Sequence, residues 1–306
     1  MTLRKFSNYL IYVSLIFLVI YLVKKDYVAL PENINYLYLL LSFLLMFLGF
    51  SLHGMTYSVV SKKFGLNVSI KDSIIAFGLY VFSRYIPGKV WVLIGPVSYF
   101  KDRYHYATDR LLTVSVTSQF INLWIGLTIT SIAVAFVPLP LLSKILCVVV
   151  WLGLTLTLYT RIVHDFTKWV LLKTLKKEVN IPHITFKNSI STFPIFVLCW
   201  IAYTSGFFFF SLSFGARPNT LIYFAFPLAS IIGMIAVFIP GGLGVREGAL
   251  VVILLASKVP LHLATSISMA SRVWFLIGEL FIFVIGVLLK MQSRLTTKPS
   301  PPCVND

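Results

Sequence analysis

Long apolar runs separated by short polar connections fill most of the chain. They cover residues 7–23, 35–60, 111–137, 139–160, 190–214, 219–239 and 264–289. A helix of about 20 residues crosses a hydrocarbon core about 30 Å thick, so each run predicts a membrane-crossing helix. Two further stretches, 73–98 and 245–257, are apolar but broken or short. A membrane barrel would need strands alternating apolar and polar positions. The segment from Leu39 to Gly49 is instead apolar on both faces. The expected fold is therefore all-α: a polytopic helical membrane protein.

The two interrupted stretches share a short pattern. Phe82–Lys89 reads FSRYIPGK and Val237–Gly244 reads VFIPGGLG. Proline removes a backbone donor and glycine permits a sharp turn, so Pro87, Gly88 and Pro240 mark helix breaks. Helix ends inside a bilayer must be buried in protein or face a watery cavity. Both segments are therefore expected to be re-entrant. Ile86-Pro87-Gly88 and Ile239-Pro240-Gly241 lie half a chain apart, as an inverted repeat would place them. The expected organisation is a single transmembrane domain over 1–291, with halves of about 1–160 and 161–291. The Thr-, Pro- and Ser-rich residues 292–306 read as a disordered cytoplasmic tail.

Composition agrees with this pattern: 58% of the 306 residues are hydrophobic and 12% charged, with a net charge of +16. The basic residues sit in connections, as cytoplasmic loops and headgroup contacts require, so the charge does not call for a nucleic-acid partner. Arg4, Lys5, Lys62, Lys63, Lys71, Lys101, Arg103, Arg110 and the segment 161–187 are basic, whereas the connection at Pro138–Pro140 has no charge. Both termini and 161–187 are thus expected in the cytoplasm, with the protein in the cell inner (cytoplasmic) membrane. That order gives six full crossings and two re-entrant hairpins; a full crossing by 219–239 would raise the number. Tyr9–Val23 reads as a retained helix rather than a signal peptide, because no small-residue cleavage site follows. Within 161–187, apolar and lysine residues interleave as in a helix lying on the membrane surface.

Charged residues inside apolar segments are costly and mark sites or internal ion pairs. Arg246 and Glu247 directly follow the second break, and Arg272 and Glu279 lie in the last span. The expected substrate site combines backbone N–H groups at Gly241, Gly242 and Gly244 with Arg246 and Arg272, which suit a phosphate. Glu247 would orient an arginine or meet a cationic headgroup, and Lys89 and Arg110 would contribute from the first half. Glu247→Gln and Arg246→Ala are expected to impair activity more than folding. No soluble catalytic motif is present, so no enzymatic activity is expected. Cys147, Cys199 and Cys303 lack metal-ligand spacing, and neither a metal nor a cofactor is expected.

Pro240–Ala249 (PGGLGVREGA) resembles a motif of the lysylphosphatidylglycerol synthase transmembrane-region family. Tyr85–Trp91, Asp109-Arg110 and Ser271-Arg272 are similar to its other motifs, and the likeness runs nearly the whole chain in order. Gly95-Pro96 departs from the Gly-Arg-like pair expected of the family. The resemblance implies a helical bundle with re-entrant segments and a flippase role in cell-envelope biogenesis. Its substrate would be a phospholipid or a polyprenyl-phosphate-linked glycan precursor. In two-part members aminoacyl transfer belongs to a soluble domain, for which a chain ending at Asp306 is expected to have no room. The alternative role is a non-transporting membrane partner of a glycosyltransferase or lipid-modifying enzyme, with 161–187 as its contact surface.

Overall fold

A computed structural model describes residues 34–86, 90–136, 141–159, 190–235, 242 and 244–296. Regular structure among them is helical. Helix α1 spans Tyr36–Lys63 and α2 spans Ile70–Tyr80, continued by a 3₁₀ segment, Val81–Tyr85. Then follow α3 (Val90–Tyr104), α4 (Thr108–Phe136), α5 (Leu141–Tyr159), α6 (Phe193–Ser213), α7 (Thr220–Ile235), α8 (Val245–Ala256) and α9 (Leu261–Thr296). Helices α1, α4, α6 and α9 are long and apolar enough to cross a membrane. They coincide with the expected spans 35–60, 111–137, 190–214 and 264–289. The run 139–160 is α5. The run 219–239 is the shorter α7, which contains Pro227. Residues 7–23, the surface-helix candidate 161–187, and Pro87, Gly88, Lys89, Pro240 and Gly241 lie outside the described residues. Helix α9 continues to Thr296, into the expected tail, because no proline or glycine stops it after Gln292.

The two halves repeat the same turns. After α1, the Phe64 and Leu66 N–H groups both return to the Ser61 carbonyl, at 3.0 Å each. After α6, Phe214 and Ala216 return to Ser211, at 3.3 and 3.2 Å. The glycine between them is left-handed in both, with φ of +71° at Gly65 and +89° at Gly215. Ser69 then caps α2 and Asn219 caps α7, each accepting an N–H three residues on. Further along, His105 after α3 and Lys258 after α8 are both left-handed, with φ of 55° and 62°. Each is followed three residues later by the start of the next long helix.

Helices α1 and α6 lie antiparallel. The Asn35 N–H at the start of α1 bonds the Ser213 carbonyl at the end of α6, at 3.0 Å. Near the opposite ends, Tyr57 and Val60 share a buried cluster with Phe196 and Trp200.

Each broken segment has its outer ends tied together. Asp72, in the first turn of α2, accepts hydroxyl bonds from Tyr99 (2.9 Å) and Tyr104 (2.6 Å) of α3. The Tyr104 hydroxyl also accepts the Ser69 N–H at 3.0 Å. In the second half, Asn219 Nδ2 donates to the carbonyl of Ser257, just after α8, at 3.1 Å. Lys71 Nζ reaches Gln292 Oε1 at 3.2 Å, which brings the end of α9 to the same end of the bundle as the mouth of the first hairpin. Lys62, Lys63, Lys101, Arg103 and Arg110 gather there, whereas among the described residues the opposite end carries Lys144, Arg217 and Lys258. Deeper in, α2 crosses α9 at Gly78 and Gly286, where a Cβ on Gly78 would strike the backbone of α9. Small residues at such a crossing let membrane helices approach closely.

Helix α5 is held against α4 by a reciprocal polar clasp. Trp124 Nε1 donates to Thr155 Oγ1 (2.8 Å), and Trp151 Nε1 donates to Thr128 Oγ1 (2.9 Å). Each threonine hydroxyl in turn donates one turn back, to the carbonyl of the tryptophan on its own helix. The outer face of α5, including Leu142, Val149 and Leu156, is exposed and suited to lipid. Interhelical hydrogen bonds in membranes are worth about 0.6 kcal/mol each. Thr128→Val with Thr155→Val should therefore lower stability by roughly 1–2 kcal/mol. Thermal unfolding in detergent would read this, and an unchanged midpoint would show that the clasp does not hold α5.

Candidate functional site

The interrupted segments and the long helices enclose a cavity of about 440 Å³. Its charged pole comes from three elements. The 3₁₀ segment contributes Arg84 and Tyr85, α8 contributes Arg246, and α9 contributes Arg272, Phe275 and Glu279. Burying this much charge demands pairing, and most of it is paired. Arg84 Nη1 lies 3.2 Å from Glu279 Oε1, and Arg84 Nε also donates to the Val81 carbonyl at 3.0 Å. The Tyr85 hydroxyl donates to Glu279 Oε2 at 2.7 Å. Arg272 Nη1 donates to Glu247 Oε1 at 3.3 Å and its guanidinium lies over the Tyr85 ring.

Glu247 is fixed from three directions. As the third residue of α8 it accepts the Gly244 N–H on Oε2 at 2.8 Å, which closes the helix start. Its other oxygen takes Arg272, and its carbonyl accepts the Ser268 hydroxyl at 2.8 Å. Glu247 thus braces α8 against α9.

Arg246 is different. It is 6% exposed, and its Nε and Nη2 have no hydrogen-bond partner among the described residues. Its guanidinium lies 5.0 Å from the Phe226 ring centroid and 4.9 Å from that of Phe275. Aromatic faces attract a cation but leave its N–H groups unsatisfied. The arrangement presents donors, in the cavity, to an anion.

The expected site is thus only partly assembled. Arg246 and Arg272 converge, and Glu247 orients an arginine as one of its two expected roles. The Gly244 N–H is spent on Glu247, and Gly242 (φ +66°) packs close to Gly233. Arg110 is exposed at the start of α4, outside the cavity lining. Lys89 and Gly241 lie outside the described residues. Two members escaped the sequence reading of the site: Arg84, inside the FSRYIPGK pattern, and Glu279 as its partner. The signal for Arg84 was the one that marked Arg246, an arginine next to a Pro-Gly break.

The family described as lysylphosphatidylglycerol synthase TM region matches residues 9–286, the bulk of the chain. The chain belongs to this family. It is a multi-pass, all-α membrane protein. As a member of this transmembrane-region family it is a flippase-like module rather than an enzyme. Comparison with curated proteins returns no significant match. Comparison with solved structures returns none either.

Proposed function

We propose that the protein moves a phosphate-bearing lipid between leaflets, with the phosphate held by Arg246 beside Arg272 and Arg84. The observation that carries this reading is Arg246: buried, lining the cavity, and with two guanidinium nitrogens unbonded among the described residues. A guanidinium fork suits phosphate oxygens, and buried donors without acceptors carry a cost that a bound anion would relieve. The substrate class comprises phospholipids and polyprenyl-phosphate-linked glycan precursors.

Both interrupted segments are read as re-entrant, which the ties between their outer ends support. The halves are read as an inverted repeat, supported by the matched turns and the antiparallel α1 and α6. The more basic end faces the cytoplasm of the inner membrane, as basic loops do. Residues 161–187, on which the alternative accessory role rests, lie outside the described residues, and no described feature favours it. The test is reconstitution of the purified protein in liposomes with headgroup-labelled lipids. Leaflet exchange well above that of protein-free liposomes is expected; no acceleration across phospholipids and polyprenyl phosphates would sink the transport reading.

A further inference from the structure

We infer that the group attached to the phosphate is uncharged and hydroxyl-rich, a glycerol or a single sugar, and that cationic aminoacylated headgroups are rejected. This rests on the transport reading above and names the chemistry of the same site.

Charge is the first reason. The described residues of the pole hold three arginines and two glutamates, a surplus of one positive charge. Glu279 is engaged by Arg84 and Tyr85, and Glu247 by Arg272 and the Gly244 N–H. Each carboxylate is thus already ion-paired with an arginine, although Glu279 Oε1 accepts no hydrogen bond among the described residues. A monoanionic phosphate cancels the surplus, whereas an added ammonium restores it in a buried site, where like charges are costly. Three aromatic faces at this pole are already taken by arginines. Phe226 and Phe275 face Arg246, and Tyr85 faces Arg272.

Helix α4 supplies the second reason. Ser115, Ser118, Gln119 and Asn122 all line the cavity. Their spacing places them on one helical stripe. Ser118 is 7% exposed and its Oγ has no hydrogen-bond partner among the described residues. Serine hydroxyls and carboxamides both donate and accept, as sugar and glycerol hydroxyls do, whereas an ammonium only donates. The matched turns that start α4 and α9 align Ser118-Gln119 with Ser271-Arg272. Where one half presents a guanidinium, the other presents a neutral amide. The cavity volume, about 440 Å³, lies in the usual range of single small-molecule sites, about 300–1,000 Å³. It suits one glycerol or sugar rather than a long oligosaccharide.

The test compares leaflet exchange of phosphatidylglycerol, its lysyl ester and a monoglycosyl polyprenyl phosphate in the same proteoliposomes. One or both of the hydroxyl-bearing anions should exchange at least tenfold faster than the lysyl ester. Which of them does so assigns the diacylglycerol or the polyprenyl source. Gln119→Leu should cut that preference severalfold, and Ser118→Ala should cut it in the same direction, with size-exclusion profiles reporting folding of each. Lysyl-ester exchange matching its parent would overturn the inference and leave the transport reading standing. An unchanged preference in both folded variants would overturn the hydroxyl contact. If no lipid exchanges, the transport reading fails first and this inference with it.

Discussion

Arg246→Met should abolish most lipid exchange while leaving the protein at least as stable as its parent. The two effects separate because of how this arginine is held. Its charge is buried against Phe226 and Phe275, with Nε and Nη2 unbonded among the described residues. Removing an unpaired buried charge relieves a desolvation cost, and methionine keeps much of the contact with both rings. Exchange, by contrast, loses its best-placed anion donors. Hydrogen bonds to charged groups are worth about 1.5–3 kcal/mol, so the expected loss is roughly 10–100-fold. Arg246→Lys keeps the charge without the planar fork and should lie between the two. Leaflet exchange and thermal unfolding on one preparation decide the matter. Full exchange by a stable Arg246→Met protein would remove this arginine from the site.

The opposite split is expected at Glu279. It is fully buried, and it neutralises Arg84 while accepting the Tyr85 hydroxyl. Glu279→Gln retains an acceptor for Tyr85 but leaves the Arg84 guanidinium without its carboxylate. Breaking one partner of a buried pair costs about 3–5 kcal/mol. The arginine is partly exposed, so the lower end of that range is expected for this pair. Replacing both partners, Arg84→Met with Glu279→Leu, should recover much of the lost stability, since no charge is then stranded. Tryptophan-detected unfolding in detergent would measure both variants. A Glu279→Gln protein unfolding at the parental temperature would show that the pair contributes nothing to the fold.

Glu247 falls between these cases. Its three bonds brace the start of α8, so Glu247→Gln is expected to lower stability as well as exchange. This revises the expectation drawn from its position alone, under which activity would suffer more than folding.

Four of the expected spans were legible because length and apolarity alone fix a crossing helix. Helix ends at Tyr85 and Ile235 flank the expected breaks, whose markers Pro87, Gly88 and Pro240 act locally but lie outside the described residues. The pairing of charges was not legible. Arg272 and Glu279 lie on one face of α9, yet each turns to a different element: Arg272 to Glu247 and Glu279 to Arg84. Nothing in the spacing along α9 reveals which neighbour packs beside it. Glu247 could have been read as half of a cap, because glycine is a tolerated N-cap and a glutamate three residues later can reach back to its N–H. The matched turns were also visible in principle, as Ser61–Gly65 and Ser211–Gly215 share their serine, phenylalanine and glycine. Three matches in five positions mean little until the same hydrogen bonds recur around them.

The surplus positive charge at Arg246 has an electrical side. Each elementary charge carried through a membrane potential is worth about 2.3 kcal/mol per 100 mV. With a singly charged phosphodiester bound, the described residues of the pole carry no net charge and their movement would do no electrical work. Left empty, they carry one. An imposed potential should therefore act on the return of the unoccupied protein and spare the loaded step. Exchange rates followed under potassium diffusion potentials would test this: voltage sensitivity should fade as substrate saturates the site, and sensitivity that grows with saturation would contradict it. A cell could then drive or stall the cycle through its membrane voltage without the lipid itself sensing the field.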